Sequence, residues 1–580
     1  MCNKNIVILI LLLLNFRGYA QSNHTLKPIA YDNIILGGEL ADRAKKNYRR
    51  LESDIYSPKK VFSIEKKSIS AEWPGDIEGR LMLGLILESQ ATHQTSEGLK
   101  EMIDRIPKVI NTKGYFGPIQ QDTIVEQQLS GNGWFLRALC EYYQWKKDPV
   151  IKMYIRRVIK NLALPTKGYH MVYPIDLVYR KKNVGAASGT TQSAIGKWKL
   201  SSDVGCDFIF LDGIVQAYAI IPSLELKQLI DEMIQRFSQI PLDAINAQTH
   251  ATLTAVRAII RYYAITHNSN LLGVAKNRYK LYKTNAMTAN FENFNWFGRP
   301  EWTEPCAIVD SYIAAVQLWQ FTGDYQYLED AHHIYYNALS TTQHENGGFG
   351  LSNCTIPGQN SLKVIENEAW WCCTMRGAEG LANATRYNYF YNSNTLALPF
   401  FNSSEATFDA TSQLFKLRQT SYYPFKGEVS IEVLESKRLK PLLIKLFSPS
   451  WTRNHRITKN GKNVAFKSEG GFISFEIKLV KGDILLLSFD QIYNRNLMVN
   501  QMYSKPDFYT FNYGPLVLGY EIGSNPEISF GKVPELTRKS DSLWLVQGTD
   551  IRLSPVYHLM NPQVSKDSNY SKQILFKITN

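Results

Sequence analysis

Three stretches in the first two thirds of the chain repeat one pattern, and that repeat constrains the fold more than any other feature. An apolar stripe at helical spacing ends on aromatic residues, a polar turn follows, and a second helical pattern begins. The stretches are Leu139-Cys140-Glu141-Tyr142-Tyr143-Gln144-Trp145 before Lys147-Asp148-Pro149, Arg261-Tyr262-Tyr263 before His267-Asn268-Ser269, and Leu318-Trp319-Gln320-Phe321 before Thr322-Gly323-Asp324. Within them Trp134, Ala138 and Tyr142, then Leu253, Val256, Ile260 and Tyr263, then Ile308, Tyr312 and Val316 each fall on one helix face. Each stretch is a helical hairpin. Extending the pattern outward predicts helices beginning near residues 36, 78, 97, 132, 149, 206, 224, 248, 270, 304, 325 and 373. Twelve helices make six hairpins, the number that closes an (α/α)6 toroid. The long polar connection from Gly168 to Asp203 is left over to build a cleft at one end.

Beyond Asn394 the period changes from helical to alternating. Glu428-Val429-Ser430-Ile431-Glu432-Val433 alternates strictly, and Asn460-Gly461 and Lys481-Gly482-Asp483 are turns between strands. A further strand set begins at Phe511 and runs through Gly514-Pro515. The predicted class is therefore multidomain α plus β, with a toroid over 21–394 and two small β-sandwiches over 395–580.

Residues 1–20 read as a signal peptide: Lys4 precedes the apolar run Ile6 to Leu14, and Gly18-Tyr19-Ala20 supplies small residues at the cut. This predicts a periplasmic or secreted protein. No later run reaches about 18 apolar residues, so no membrane association is expected after cleavage. The net charge is +13, yet the basic residues are scattered without a nucleic-acid arm, which excludes that partner and suits a glycan substrate, an acidic one included.

Six cysteines follow the predicted cut: Cys140, Cys206, Cys306, Cys354, Cys372 and Cys373. In an exported chain an even number makes disulfides the default. A metal is the competing reading, because Thr303-Glu304-Pro305-Cys306 and Trp370-Trp371-Cys372-Cys373-Thr374 each place ligands at a predicted helix start, where the dipole favours thiolate. One oxygen and three sulfurs suit tetrahedral Zn²⁺. The spacing alone leaves both readings open. Cys140 and Cys206 read as buried thiols and Cys354 as an unpaired loop thiol.

Glu304-Pro305-Cys306 and Cys372-Cys373 occur together with Gly75-Asp76-Ile77-Glu78-Gly79-Arg80, Trp134-Phe135-Leu136-Arg137-Ala138-Leu139, Thr249-His250-Ala251-Thr252-Leu253-Thr254, and Tyr423-Pro424 through Gly514-Pro515. With these segments the chain resembles glycoside hydrolase family 127, the β-L-arabinofuranosidase family, from about Gly75 to Tyr520. The resemblance implies a retaining exo-hydrolase in which Cys372 attacks the anomeric carbon while zinc, bound also by Glu304, Cys306 and Cys373, holds it as thiolate. It further implies a separate glutamate as acid/base. Glu292, between Phe291 and Phe294, is the choice for that role and Glu301 its rival.

The chain departs from the family pattern in places. The segment before Glu304 is short, Thr374 and Met375 replace two prolines, Arg376 stands where a small polar residue is typical, and His332 where an acid is frequent. A middle-helix histidine is replaced by Phe210-Leu211-Asp212-Gly213, which makes Asp212 a candidate for sugar-hydroxyl recognition. His250, Trp134, Trp296 and Trp370 are the other candidate substrate contacts, each with a core-packing alternative. Asp76 and Arg80, four apart, read as an ion pair. The expected substrate is a terminal sugar such as L-arabinofuranose on a complex plant or algal glycan. Two other readings are a lyase or unsaturated-uronide hydrolase acting on acidic glycans, and a noncatalytic glycan-binding protein.

Overall fold

The aromatic-ended repeats turn in one way. The residue after each first helix, Lys147, His267 or Gly323, takes the left-handed conformation (φ 57°, 55° and 73°) and closes that helix through its backbone N–H. The next residue, Asp148, Asn268 or Asp324, then accepts a backbone N–H of the second helix on its side chain. A short polar turn thus reverses the chain and caps both helices.

The computed structural model describes residues 26–65, 71–180, 187–410, 413–523, 525–557 and 571–579; the expected signal peptide lies outside them. The hairpin helices are, in chain order, α1 (Gly38–Leu51), α2 (Asp76–Thr92), α3 (Glu97–Val109), α4 (Glu126–Lys146), α5 (Pro149–Val158), α6 (Ile209–Ile220), α7 (Leu224–Phe237), α8 (Thr249–Thr266), α9 (Ser269–Asn285), α10 (Pro305–Thr322), α11 (Gln326–Ile334) and α12 (Cys373–Arg386). The even-numbered helices are buried almost all round, and each packs on the next until α12 returns to α2, closing a ring. The odd-numbered helices are amphipathic and lie outside: Leu226, Leu229, Ile230, Met233 and Phe237 of α7, for example, form one buried stripe. The result is a toroid of six hairpins. Crowding inside it demands small residues: a Cβ on Gly79 of α2 would lie 2.2 Å from the Phe135 backbone nitrogen of α4.

Because the hairpins alternate up and down, the inner helices run parallel and their N-termini gather at one end. Asp76, His250, Cys306 and Cys373 all sit in first turns there. Among the described residues no helix is long and apolar enough to cross a membrane.

The strands after Arg386 form two β units. The first packs a six-stranded sheet, whose centre includes Leu442–Phe447, against a seven-stranded sheet whose centre includes Glu428–Ser436. Tyr391 meets Phe408 edge-on across the gap, with ring centroids 5.3 Å apart. The N-terminal strands Lys27–Pro28 and Ile34–Leu36 also join these sheets, pairing with residues 390–391 and 404–406, a pairing too short to show as a sequence pattern. The second unit is a single branched network of strands with its own core of Phe511, Leu518, Phe530, Trp544, Leu553 and Phe576, rather than a second two-layer sandwich.

Both units brace the toroid. Trp319 of α10 packs on Phe390 and Phe472. His332 of α11 is 3.1 Å from the Tyr423 hydroxyl and 2.9 Å from the Pro399 carbonyl, which gives this histidine a packing role. The strand Ser361–Glu366, which leads into the cysteine pair, is hydrogen-bonded to Ser571–Gln573, so the C-terminal unit anchors the segment that presents Cys372 and Cys373.

Candidate active site

Local sequence explains how the four candidate ligands are presented. Pro305 fits the first turn of α10, so Glu304 takes the extended cap conformation (φ −128°, ψ 113°) and Cys306 enters the first turn. Cys372 holds the equivalent cap position of α12 and Cys373 begins that helix. Both helix N-termini point toward the sulfurs and favour negative charge there.

The four side chains converge: one ligand atom from each of Glu304, Cys306, Cys372 and Cys373 lies within 4.8 Å of all the others, a group that can hold a metal ion. The Cys306 and Cys373 sulfurs are 3.8 Å apart, and those of Cys372 and Cys373 are 3.2 Å apart. All six described cysteines are free thiols, so the disulfide default does not apply in this structure. Cys306 and Cys373 are fully buried and Cys372 is partly exposed. Hydrogen bonds from the Cys306 and Cys373 thiols lower Cys372 below the ordinary thiol range, whereas burial pushes Cys306 and Cys373 up. Cys372 is therefore the sulfur that ionises most readily. Burial, reinforced by Cys306, also raises Glu304 well above the usual carboxylate range.

Around this group the other expected site residues take distinct places. His250 is buried, with Nδ1 3.5 Å from Glu304 and Nε2 3.4 Å from Asp310, and burial together with Arg80, Arg376 and Arg257 keeps its imidazole neutral. Trp370 and Trp371 form an edge-on pair, 37% and 42% exposed, directly before Cys372. Glu292 is not one of the four grouped side chains. Its carboxyl is fully buried among Thr303, Asn290 and Thr341, and burial pushes its pKa up to about 8. Glu301 is exposed at the surface and ion-paired with Arg299 at 2.8 Å.

Three expected sugar contacts belong elsewhere. Trp134 is completely buried: the guanidinium carbons of Arg80 and Arg376 lie over its ring at 4.5 and 4.3 Å, and His250 stacks on it at 5.6 Å, so no face is open to a ligand. Trp296 is covered by Arg299 at 3.9 Å and donates its indole N–H to Asp203. Asp212 is also fully buried, bound by Arg137 and by Arg261 at 3.0 Å, which depress its pKa. These arginines continue an axial network through the ring, in which Arg257 and Arg376 pair with Asp310 and Glu379, and Arg137 with Glu379 at 3.1 Å. Asp212 is a strut of this network because a carboxylate shared by two guanidiniums has no free oxygen for a sugar.

Several members of this architecture carry roles that the sequence pattern does not assign. Asp203, at the end of the long connection, accepts from Ser188, the Gly189 backbone and Trp296, and burial lifts its pKa to about 6. Thr374, where the family resemblance expects proline, accepts from the Phe349 backbone and donates to Glu368. The readable signal was a lone charge inside an apolar helical run, as for Arg257, Asp310 and Arg376: such residues must find partners in the ring.

Comparison with known proteins finds matches to the overall fold and to one β unit. Residues 395–491 match the model of the "Beta-L-arabinofuranosidase, GH127 middle domain". No curated protein matches the sequence. Among solved structures, a GH127 β-arabinofuranosidase superposes with TM-score 0.69 at 14% identity, covering 96% of this chain and 98% of that one. A GH127 β-L-arabinofuranosidase from Geobacillus stearothermophilus T6 gives TM-score 0.70 at 13% identity, covering 94% and 100%. A third, titled glycoside hydrolase, gives 0.67 at 13% identity, covering 96% and 98%. The structural likeness establishes a shared fold over the full length, and the family model matches the central β unit of this chain.

Proposed function

We propose that this chain is an exported, retaining exo-glycosidase that releases a terminal sugar, with Cys372 as nucleophile, Glu292 as acid/base and a zinc ion held by Glu304, Cys306, Cys372 and Cys373 within the 21–394 toroid. The observation that carries it is the convergence of one carboxylate and three free thiols from two helix starts. The donor set fits zinc. Tetrahedral bonds of about 2.3 Å place sulfurs roughly 3.8 Å apart; the Cys306–Cys373 separation is 3.8 Å, the Cys372–Cys373 separation of 3.2 Å would have to open on binding, and Glu304 Oε2 has no hydrogen-bond partner among the described residues.

When bound, zinc supplies the positive charge that keeps these thiols ionised at neutral pH. The Cys372 sulfur then attacks the anomeric carbon, the glycosidic C–O bond breaks, and Glu292 passes its proton to the leaving oxygen. In the second half Glu292 takes a proton from water, the water oxygen bonds to the same carbon, and the Cys372 thiolate leaves. Two inversions give net retention. The similar structures titled β-arabinofuranosidase and β-L-arabinofuranosidase support L-arabinofuranose as the sugar, and the exposed rings of Trp370 and Trp371 offer a platform for the rest of the glycan.

A panel of aryl glycosides followed by proton NMR tests this reading. Release of L-arabinofuranose with the β configuration retained is expected, and activity is expected to disappear on zinc chelation. A product carrying an ultraviolet-absorbing double bond would establish the lyase reading instead, and binding without turnover across the panel would establish a noncatalytic role.

A further inference from the structure

We infer that Arg80 is a positioning residue for the metal centre: its guanidinium anchors the Cys306 sulfur and so leaves Cys372 as the displaceable sulfur of the three. The inference rests on the zinc reading above and extends it to a side chain outside the ligand set.

Arg80 sits one turn inside α2, and its Nη1 donates to Cys306 Sγ at 3.4 Å. Its direction is over-determined. Nε and Nη2 are clamped by the two carboxylate oxygens of Asp76 at 2.6 and 3.1 Å, and its guanidinium carbon lies 4.5 Å from the centroid of the Trp134 ring. Both Arg80 and Asp76 are almost completely buried. A clamped guanidinium loses little further entropy in holding a sulfur, so the contact is preorganised.

Charge gives the contact its weight. A divalent cation with three thiolates and a carboxylate carries net charge −2, and burying that charge needs compensation. Among the described residues, Arg80 is the cation with a hydrogen bond to one of these sulfurs. The nearby Arg376 is engaged by Asp310 and Glu379. Hydrogen bonding to Cys306 withdraws electron density from that sulfur and makes it a spectator. Cys306 is moreover fully buried, whereas Cys372 is partly exposed. The three sulfurs are thereby made unequal: Cys306 is tied from behind and Cys372 faces outward.

The experiment uses the zinc-loaded full-length chain and two readouts, zinc affinity by chelator competition and mass-mapped alkylation by iodoacetamide. In the wild type, alkylation begins at Cys372. For Arg80→Met, zinc affinity is expected to weaken about 10–100-fold, the usual scale for losing a hydrogen bond to a metal ligand, and Cys306 is expected to alkylate alongside Cys372. Arg80→Lys, which keeps the charge without the fork, falls between. Should Arg80→Met not fold by circular dichroism, Asp76→Asn, which releases the clamp, is expected to shift both readouts in the same direction. Zinc affinity within twofold of wild type and alkylation still confined to Cys372 overturns the inference. A wild-type chain that binds no zinc refutes the metal reading itself, an outcome distinct from a zinc-loaded wild type with an indifferent variant.

Discussion

Cys372→Ala is expected to remain folded and to lose at least about 10³ in kcat, because the nucleophile of a two-step displacement cannot be replaced by the remaining groups. Its folding should survive: Cys372 is partly exposed at a helix cap, and the truncation removes a single atom from the edge of the core. Cys306→Ala or Cys373→Ala removes a fully buried ligand and should cost zinc and stability together. The comparison separates a reacting sulfur from a structural one. The measurements are kcat on the best aryl glycoside, a thermal melt, and intact mass of the wild type during turnover, where a thioglycoside adduct on the peptide containing Cys372 is expected. Unchanged kcat in Cys372→Ala refutes the cysteine mechanism.

Glu292→Gln is expected to lower kcat by about 10²–10⁴ on substrates with poor leaving groups and far less on nitrophenyl glycosides, whose leaving oxygen needs little protonation. Its pH dependence follows from burial, which pushes the pKa from 4.5 up to about 8. The group is thus protonated at neutrality, as an acid must be, and the wild-type profile should fall above about pH 8; the variant should lack that limb. Stability carries the same sign. Between about 4.5 and 8 the folded chain holds a proton that the unfolded chain has released, so folding weakens as pH rises across that window, by up to ~1.4 kcal/mol per unit, and levels off above it. Denaturant melts at pH 6 and pH 9 should therefore converge in Glu292→Gln relative to wild type. A wild-type activity profile flat to pH 9.5, with identical melts for both proteins, removes Glu292 from the role.

The hairpin repeat was legible because its turn chemistry is local: an aromatic stripe, a left-handed residue and an Asx cap leave a signature at Lys147-Asp148, His267-Asn268 and Gly323-Asp324. Helix α4 starts at Glu126, six residues before the position near 132 that its apolar spacing predicts. Glu126-Gln127-Gln128 and Gly131-Asn132-Gly133 look like a loop, yet they are buried. Asn132 bonds the carbonyls of Phe116 and Pro74, and the glycines admit neighbouring backbones. Inner helices buried on every side lose the amphipathic signal on which sequence reading depends.

The same physics divides the site. The ligand segments announced themselves because cysteines at helix starts are rare and chemically specific. Trp134 and Asp212 did not, since an aromatic or acid on an apolar helix reads alike whether it lines a cleft or fills a ring. Only the tertiary partners, two guanidiniums over Trp134 and two on Asp212, decide which. Arg376, foreign to the family pattern, is accounted for in the same way, as a member of the axial network.

The central claim, that Glu304, Cys306, Cys372 and Cys373 surround one cation, is tested most directly by zinc K-edge X-ray absorption on the purified full-length protein. One zinc per chain is expected, with three sulfur neighbours at about 2.3 Å and one oxygen at about 2.0–2.2 Å. Zinc absent from protein purified under reducing conditions, or bound with fewer than two sulfur neighbours, would contradict it.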